Sequence, residues 1–301
     1  MIALLLSVIA STIIFVVFKL FNKYDVNTLH AIVVNYFVAC TFGLSYYYFF
    51  SENTVSTVLT AIPTLDWFVY ALALGSFFIV VFYLMAKTAQ QSGLTVVSVA
   101  TKMSFIIPIF FGLWHYRESL GVFKLSGILL ALAAVYLTST KSRQGVPRKK
   151  GALLLPALVF LGSGIIDTSI KYLEDTYVAQ NEVSLFSAIL FGAAGCIGIL
   201  ILFVQGLRGD FTFQLKNIYG GIALGIPNFC SIYFLVEALK SGILDSSGIF
   251  TVNNVAIVML STLLGIWLFK ERLLPKNWIG ILLAVMSILL VAFQLFYDGR
   301  N

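Results

Sequence analysis

Hydrophobic residues form long runs along this chain, and short polar stretches separate these runs at regular intervals. A helix that crosses a bilayer core of about 30 Å needs about 20 apolar residues. On that criterion the pattern predicts ten transmembrane helices, and few residues lie outside them. The predicted spans are residues 2–21, 29–50, 67–88, 95–115, 121–140, 151–171, 183–205, 217–239, 247–269 and 277–297.

The composition agrees with this pattern. Of the 301 residues, 60% are hydrophobic and only 11% are charged, whereas a soluble domain carries roughly 25% charged residues. The sequence therefore predicts an all-α integral membrane protein that is embedded in the lipid bilayer and contacts it directly. It excludes an ordinary soluble enzyme and a nucleic-acid-binding protein, although the formal net charge is +6.

Metal ligands are sparse in the sequence. Two histidines (His30 and His115) and three cysteines (Cys40, Cys196 and Cys230) lie far apart, without the spacing of a metal site or a disulfide framework. We therefore predict no metal and no cofactor.

The two halves of the sequence repeat each other. The string GLWHYRESL at 112–120 returns as GIWLFKERL at 265–273, and GILLA at 127–131 returns unchanged at 280–284. Each half holds five predicted spans, and because five is odd, the second half must enter the membrane in the opposite orientation. This inverted-repeat plan is typical of secondary transporters. The predicted organisation is a first five-helix repeat over 1–140, a basic linker over 141–150 and a second repeat over 151–301.

These repeated strings resemble the EamA-type domain of the drug/metabolite transporter superfamily. The resemblance covers nearly the whole chain as two such halves, and it is best in spans 4–5 and 9–10. It implies a ten-helix secondary transporter, monomeric or homodimeric, in the plasma (inner) membrane of a bacterium. Such a protein moves a small metabolite, often outward, so we expect an exporter and no enzymatic activity. A non-transporting membrane protein and a membrane-embedded enzyme that acts on lipid are the alternatives.

Basic residues give an orientation, because basic loops are retained in the cytoplasm. The loops after odd-numbered spans carry 13 lysines and arginines, against 5 on the opposite side. This count places both termini outside, whereas the resemblance implies cytoplasmic termini. Both orientations stay open at this point.

Polar residues inside predicted spans are expensive in a membrane and are therefore candidates for a binding site. The candidates for substrate binding are Lys102, Asn35, Asn228 and one of the adjacent pair Asn253 and Asn254. A buried lysine with asparagine neighbours favours a solute that carries a carboxylate, such as an amino acid or an organic acid. The alternative for Lys102 is a side chain that extends to the interface, and the alternative for Asn35 is an interhelical hydrogen bond.

Three carboxylates have predicted roles. Asp167 either pairs with Lys171 one turn later on the same helix or carries a proton that couples transport to a gradient. Glu118 and Glu271 lie within the repeated strings, where the turns into spans 5 and 10 begin, and are predicted to have a structural role near these helix starts. The sequence has no G-x-x-x-x-G-K-[ST] string for ATP, so the expected driving force is a gradient of a coupling ion, of protons or of the substrate itself.

Two prolines interrupt predicted spans. Pro108 in span 4 and Pro227 in span 8 remove backbone donors, and each is predicted to act as a hinge or as a static kink.

Overall fold

The structure is a computed structural model of the chain. The residues that it describes are 2–50, 65–115, 121–139, 153–179, 182–209, 212, 214–241 and 246–298. The predicted basic linker and Glu118 lie outside these residues.

The described residues form eleven α-helices and one 3-10 turn, and none of them is in a β-strand. In chain order the helices are α1 (Ile2–Lys23), α2 (Thr28–Phe50), α3 (Phe68–Ser92), α4 (Leu94–Lys102), α5 (Ile106–His115), α6 (Val122–Ser139), α7 (Leu154–Thr176), α8 (Val183–Leu207), α9 (Leu215–Lys240), α10 (Ser246–Phe269) and α11 (Pro275–Asp298). The predicted all-α fold class is confirmed.

Within the described residues, eight helical stretches are long and apolar enough to cross a bilayer, and α4 and α5 together supply one of them, Leu94–Gly112. The fifth and tenth predicted spans coincide with α6 and α11, which are 18 and 24 residues long. Within α6, the stretch Leu125–Ala134 is a shorter apolar segment. The chain is therefore a multi-pass membrane protein.

The distribution of polarity is that of a protein in lipid. The asparagines of the spans are buried, while leucines on the outer faces, such as Leu5, Leu200 and Leu263, are 59% to 63% exposed. A large apolar outer surface is stable only where it contacts other apolar groups. The polar residues consequently lie between helices, where a binding site would be.

The fourth span is broken near its middle. Helix α4 ends at Lys102, the turn Met103–Phe105 follows, and α5 begins at Ile106. Pro108, the third residue of α5, has no N–H to donate to the carbonyl of Ser104, and its ring crowds that carbonyl. This explains why the helix is interrupted just after Lys102. Helix α9, by contrast, continues through Pro227.

Glycines bring helices α2, α3, α8 and α9 together. A Cβ at Gly75 of α3 would lie 2.5 Å from the Leu190 carbonyl oxygen of α8, and one at Gly225 of α9 would lie 2.8 Å from the Asn35 carbonyl oxygen of α2. No side chain fits at either place. The second contact holds α9 close to α2 one turn before Asn228.

Helices α3 and α4 are joined by a single residue, Gly93. Its φ of 101° lies in the left-handed region that glycine adopts readily. This turn allows α4 to start directly beside the end of α3, which places the first amides of α4 at one end of the helix bundle.

Candidate functional site

A cavity lies between helices of both halves of the chain. Helices α1, α3 and α4 of the first half and α7 and α9 of the second half line it. Its volume is about 80 Å³, or about 610 Å³ when the space that opens to the outside is included. That room suits a small solute rather than a large drug or a lipid.

Two opposite charges face this cavity. Lys102 comes from the last turn of α4, roughly 12 Å along the helix from Leu94, and Asp167 lies roughly 20 Å along α7 from Leu154, at 1.5 Å per residue. Both line the cavity, and they attract each other electrostatically. Among the described side chains neither one makes a direct ion pair, so a gap separates the two charges. The Ser104 hydroxyl lies beside the Asp167 carboxylate.

Three polar atoms at the cavity have no hydrogen-bond partner within the described part of the chain. They are Thr101 Oγ1, Ser163 Oγ and Asn228 Oδ1, and all three are buried. A buried polar atom without a partner costs about 1–3 kcal/mol. Three such atoms beside two charges form a place where water or a polar solute gains hydrogen bonds.

Asn228 is held in place from behind by Asn35. The Asn228 side-chain amide donates a hydrogen bond to Asn35 Oδ1 at 3.1 Å, and the Asn35 amide donates to the Ile32 carbonyl oxygen at 3.3 Å. This chain of hydrogen bonds turns Asn228 Oδ1 away from Asn35. Asn35 itself does not line the cavity, so it positions Asn228.

The structure therefore brings together three residues that the sequence predicted, Lys102, Asn228 and Asp167, with Asn35 behind them. Asn253 and Asn254 lie elsewhere, buried on α10, where Asn253 Oδ1 and Asn254 Nδ2 have no partner among the described residues. Neither of these two asparagines lines the cavity.

The sequence left two roles open for Asp167, an ion pair with Lys171 and the transfer of a coupling proton. In the structure a charged residue of another helix also lies near Asp167. The charge that acts on Asp167 is Lys102, on α4. Lys171, the predicted partner on the same helix, interacts electrostatically with Glu174.

Sequence reasoning did not select the hydroxyl residues of the cavity. Ser163 was hidden in the string Gly162-Ser163-Gly164, which is typical of close helix packing, and Ser11 was hidden in an apolar run. The internal repeat could have indicated both serines, because Ser11 and Ser163 occupy equivalent positions in the two halves. They have the same spacing as Lys19 and Lys171.

Glu271 accepts hydrogen bonds at the start of α4, a helix that lies far from it in the sequence. Its carboxylate accepts hydrogen bonds from the Leu94 N–H at 2.8 Å and the Thr95 hydroxyl at 3.1 Å, at the start of α4. Lys19 of α1 lies 3.8 Å from the same carboxylate. A Cβ at Gly265 would come within 3.0 Å of Glu271 Oε2, so this glycine leaves room for the carboxylate. The Glu271 contacts join the turn between α10 and α11 to the first half of the chain.

Metal-binding groups are not clustered in the described ranges: no three His, Cys, Asp or Glu side chains lie close enough together to hold an ion. The donor set of the cavity is one amine, one carboxylate, hydroxyls and an amide, which is a set for hydrogen bonding and charge pairing.

Comparison with known proteins gives matches of three kinds. Residues 1–140 match the model of the EamA-like transporter family. An "uncharacterized protein" of Haemophilus influenzae strain Rd is 29% identical over 306 residues, which cover 98% of this chain and 97% of the relative. A crystal structure of a protein with 14% sequence identity has a TM-score of 0.64 and covers 97% of this chain and 98% of its own. At that identity the structure shows a shared fold alone.

Proposed function

Because this chain belongs to the EamA-like transporter family of the drug/metabolite transporter superfamily, we propose that it is a secondary transporter. It moves a small metabolite across the plasma membrane by alternating access, and the direction that we propose is export. The observation that carries the proposal is the cavity between the two halves, with its two separated charges and three polar atoms without partners.

The arrangement of the helices supports an inverted repeat of two times five spans. Helix α1 packs against α9, and its counterpart α7 packs against α3; α2 packs against its own counterpart α8, and α6 against α11. These contacts are unchanged when the first five spans are exchanged with the last five. The close approaches at Gly75 and Gly225 also exchange with each other. Two halves related in this way can rock about a site between them.

The depth of the site supports transport rather than surface binding. Asp167 and Asn228 each lie roughly 20 Å along their helices from the same end of the bundle, at 1.5 Å per residue. A bilayer core is about 30 Å thick, so both side chains are far from either surface. A solute bound there reaches water only if the helices move.

The charges of the cavity favour an amino acid or an organic acid as the metabolite. Lys102 supplies the positive charge that a carboxylate needs in a medium of low polarity. Asp167 is the residue that we propose for coupling to a proton or another cation, which its carboxylate holds when no solute is bound. A lipid-modifying enzyme would need acid, base and nucleophile together near an interface, and no described residues favour that alternative.

The proposal is tested by metabolite profiling of medium and cytosol from cells that express the parental chain or Lys102→Met. Lys216→Met is a matched control, because Lys216 makes an exposed ion pair with Asp25. We expect one or more solutes to move from cytosol to medium with the parental chain and the control but not with Lys102→Met.

Solute exchange by the purified protein in proteoliposomes tests whether the protein transports at all. Purified protein in vesicles preloaded with a profiled solute, or with a mixture of amino acids and organic acids, is expected to give saturable exchange. Absence of exchange for every solute, together with unchanged metabolite profiles, would contradict a transport function.

A further inference from the structure

We propose that the cavity binds a solute that carries an ammonium group, a carboxylate and an apolar group, and that it binds this solute in one orientation. The carboxylate lies at Lys102, the ammonium group at Asp167, and the apolar group against the phenylalanines of α1 and α3. This inference rests on the proposed function and names the substrate class of the same site.

The first argument is charge balance. Among the described residues that line the cavity, the charged ones are Lys102 and Asp167, so this described lining carries no net charge. A solute with a carboxylate alone would bring its charge near Asp167 without compensation, and a simple amine would do the same near Lys102. Like charges that are close together in a site of low polarity disfavour binding. A zwitterion satisfies both side chains.

The second argument is the gap between the two charges. A lysine and an aspartate that served only to neutralise each other would gain most by direct contact, yet these two make no ion pair within the described chain. The hydroxyls of Thr101 and Ser163 and the amide oxygen of Asn228 lie around the same space without partners. The ammonium group of a zwitterion can donate to such acceptors as well as to Asp167.

The third argument is the difference between the two walls of the cavity. In the internal repeat, Phe15 of α1 occupies the position equivalent to Asp167 of α7. Phe78 of α3 occupies the position equivalent to Asn228 of α9. Phe15, Phe78 and Phe82 all line the cavity, so the first half contributes an aromatic wall where the second half contributes polar groups. A strictly symmetric site would treat both ends of a solute alike, whereas this one distinguishes them.

These three features together define an amphiphilic solute with a fixed orientation. Lys102 lies on α4, at the break before the Met103–Phe105 turn, and Asp167 lies on α7. A solute that bridges the two side chains therefore also bridges the two halves of the protein. Its binding links the positions of the halves, as alternating access requires.

The inference is tested with four probes on the purified protein in proteoliposomes. L-leucine has all three groups; 4-methylpentanoate lacks the ammonium group, 3-methylbutylamine lacks the carboxylate, and glycine lacks the apolar group. We measure exchange of labelled leucine and its inhibition by the others. We expect leucine exchange, with each of the other three at least ten times weaker as an inhibitor than unlabelled leucine.

Variants separate the two charges. Asp167→Asn is expected to lose leucine exchange and to shift preference toward 4-methylpentanoate, while Lys102→Met is expected to shift preference toward 3-methylbutylamine. The double variant removes both charges, leaves no buried charge unpaired, and is expected to fold but to bind none of the charged probes. Asp25→Asn and Lys216→Met, at the exposed ion pair, are controls that keep the parental preference. Size-exclusion profiles in detergent show which variants are folded.

Several outcomes would overturn the inference. Inhibition by 4-methylpentanoate or 3-methylbutylamine equal to that of leucine would show that both charges are not required. Equal inhibition by glycine would remove the role of the aromatic wall. Exchange of a profiled anion without leucine exchange would refute the zwitterion and leave a transporter, whereas no exchange of any solute would refute the transport function itself.

Discussion

Glu271 offers the sharpest test of how the two halves are held together. It lies in the turn between α10 and α11, yet its carboxylate accepts hydrogen bonds from the first residues of α4. Its side chain is only 5% exposed. Replacement of Glu271 by alanine removes these contacts and leaves the Leu94 N–H without its acceptor.

The size of the effect follows from the contacts. The bonds from the Leu94 N–H and the Thr95 hydroxyl are each made to a charged group, and such bonds contribute about 1.5 kcal/mol or more each. The third, from the Thr95 N–H at 3.5 Å, is long, and Lys19 at 3.8 Å is partly exposed, so both add little. Glu271→Ala should therefore destabilise the protein by about 3 kcal/mol, which corresponds to roughly 5 °C in the melting temperature of a chain of this length.

Glutamine at the same position tests the role of the charge. The amide oxygen of Glu271→Gln can still accept from the Leu94 N–H, but the hydrogen bond is no longer charge-assisted. We expect a decrease of about half that of the alanine variant. The assay is a thermal melt of the purified protein in detergent, followed by the fraction that remains monodisperse on size exclusion. Equal melting temperatures for the parental chain and Glu271→Ala would refute the assigned role, and so would a glutamine variant less stable than the alanine variant.

Further predictions follow from other contacts. Gly225→Val should abolish folding, because its Cβ would lie 2.6 Å from Val38 Cβ and 2.8 Å from the Asn35 carbonyl oxygen. Gly192→Ala is the matched control: its Cβ would lie 3.1 Å from Cys40 Sγ, and the variant should still give folded protein on size exclusion. Asn35→Leu should weaken solute exchange at least severalfold without loss of folding, because it releases Asn228 from its 3.1 Å hydrogen bond; unchanged exchange would contradict a positioning role. Tyr233→Phe should lower the melting temperature by about 2 °C, the equivalent of about 1 kcal/mol, because it removes the 3.0 Å hydrogen bond to Tyr46. Asp25→Asn should change the melting temperature by less than about 1 °C at neutral pH, because the pair with Lys216 is exposed. Since Lys216 lowers the pKa of Asp25, the small contribution of this pair should be lost only as the pH falls through the lowered value.

The helices could be predicted because lipid imposes a simple rule on sequence. Backbone groups in a bilayer must be satisfied within the segment, so a long apolar run has to be helical. The spans 2–21 and 183–205 agree closely with α1 and α8 for this reason. The break after Lys102 also had a local cause, since proline acts on the carbonyl four residues before it.

The candidate site could be predicted only in part. Lys102, Asp167 and Asn228 stood out because charged and amide groups are rare in spans, and all three line one cavity. Asn253 and Asn254 stood out for the same reason and lie elsewhere. The polarity of a residue in a span indicates that its side chain faces protein rather than lipid. It does not indicate which helix that side chain contacts.

The sequence by itself determined the membrane location, the positions of the apolar runs and the repeated strings, because each depends on the order of residue types along one chain. Only the tertiary structure decided which side chains contact each other across different helices. Asp167 interacts electrostatically with Lys102 of another helix, and Glu271 accepts hydrogen bonds from the first residues of α4. Asn35 supports Asn228 from behind. These pairs are separated by 65 to 193 residues in the chain, and contacts at such distances depend on how the helices pack. That packing is decided by close approaches such as those at Gly75 and Gly225, where two backbones meet because no side chain stands between them.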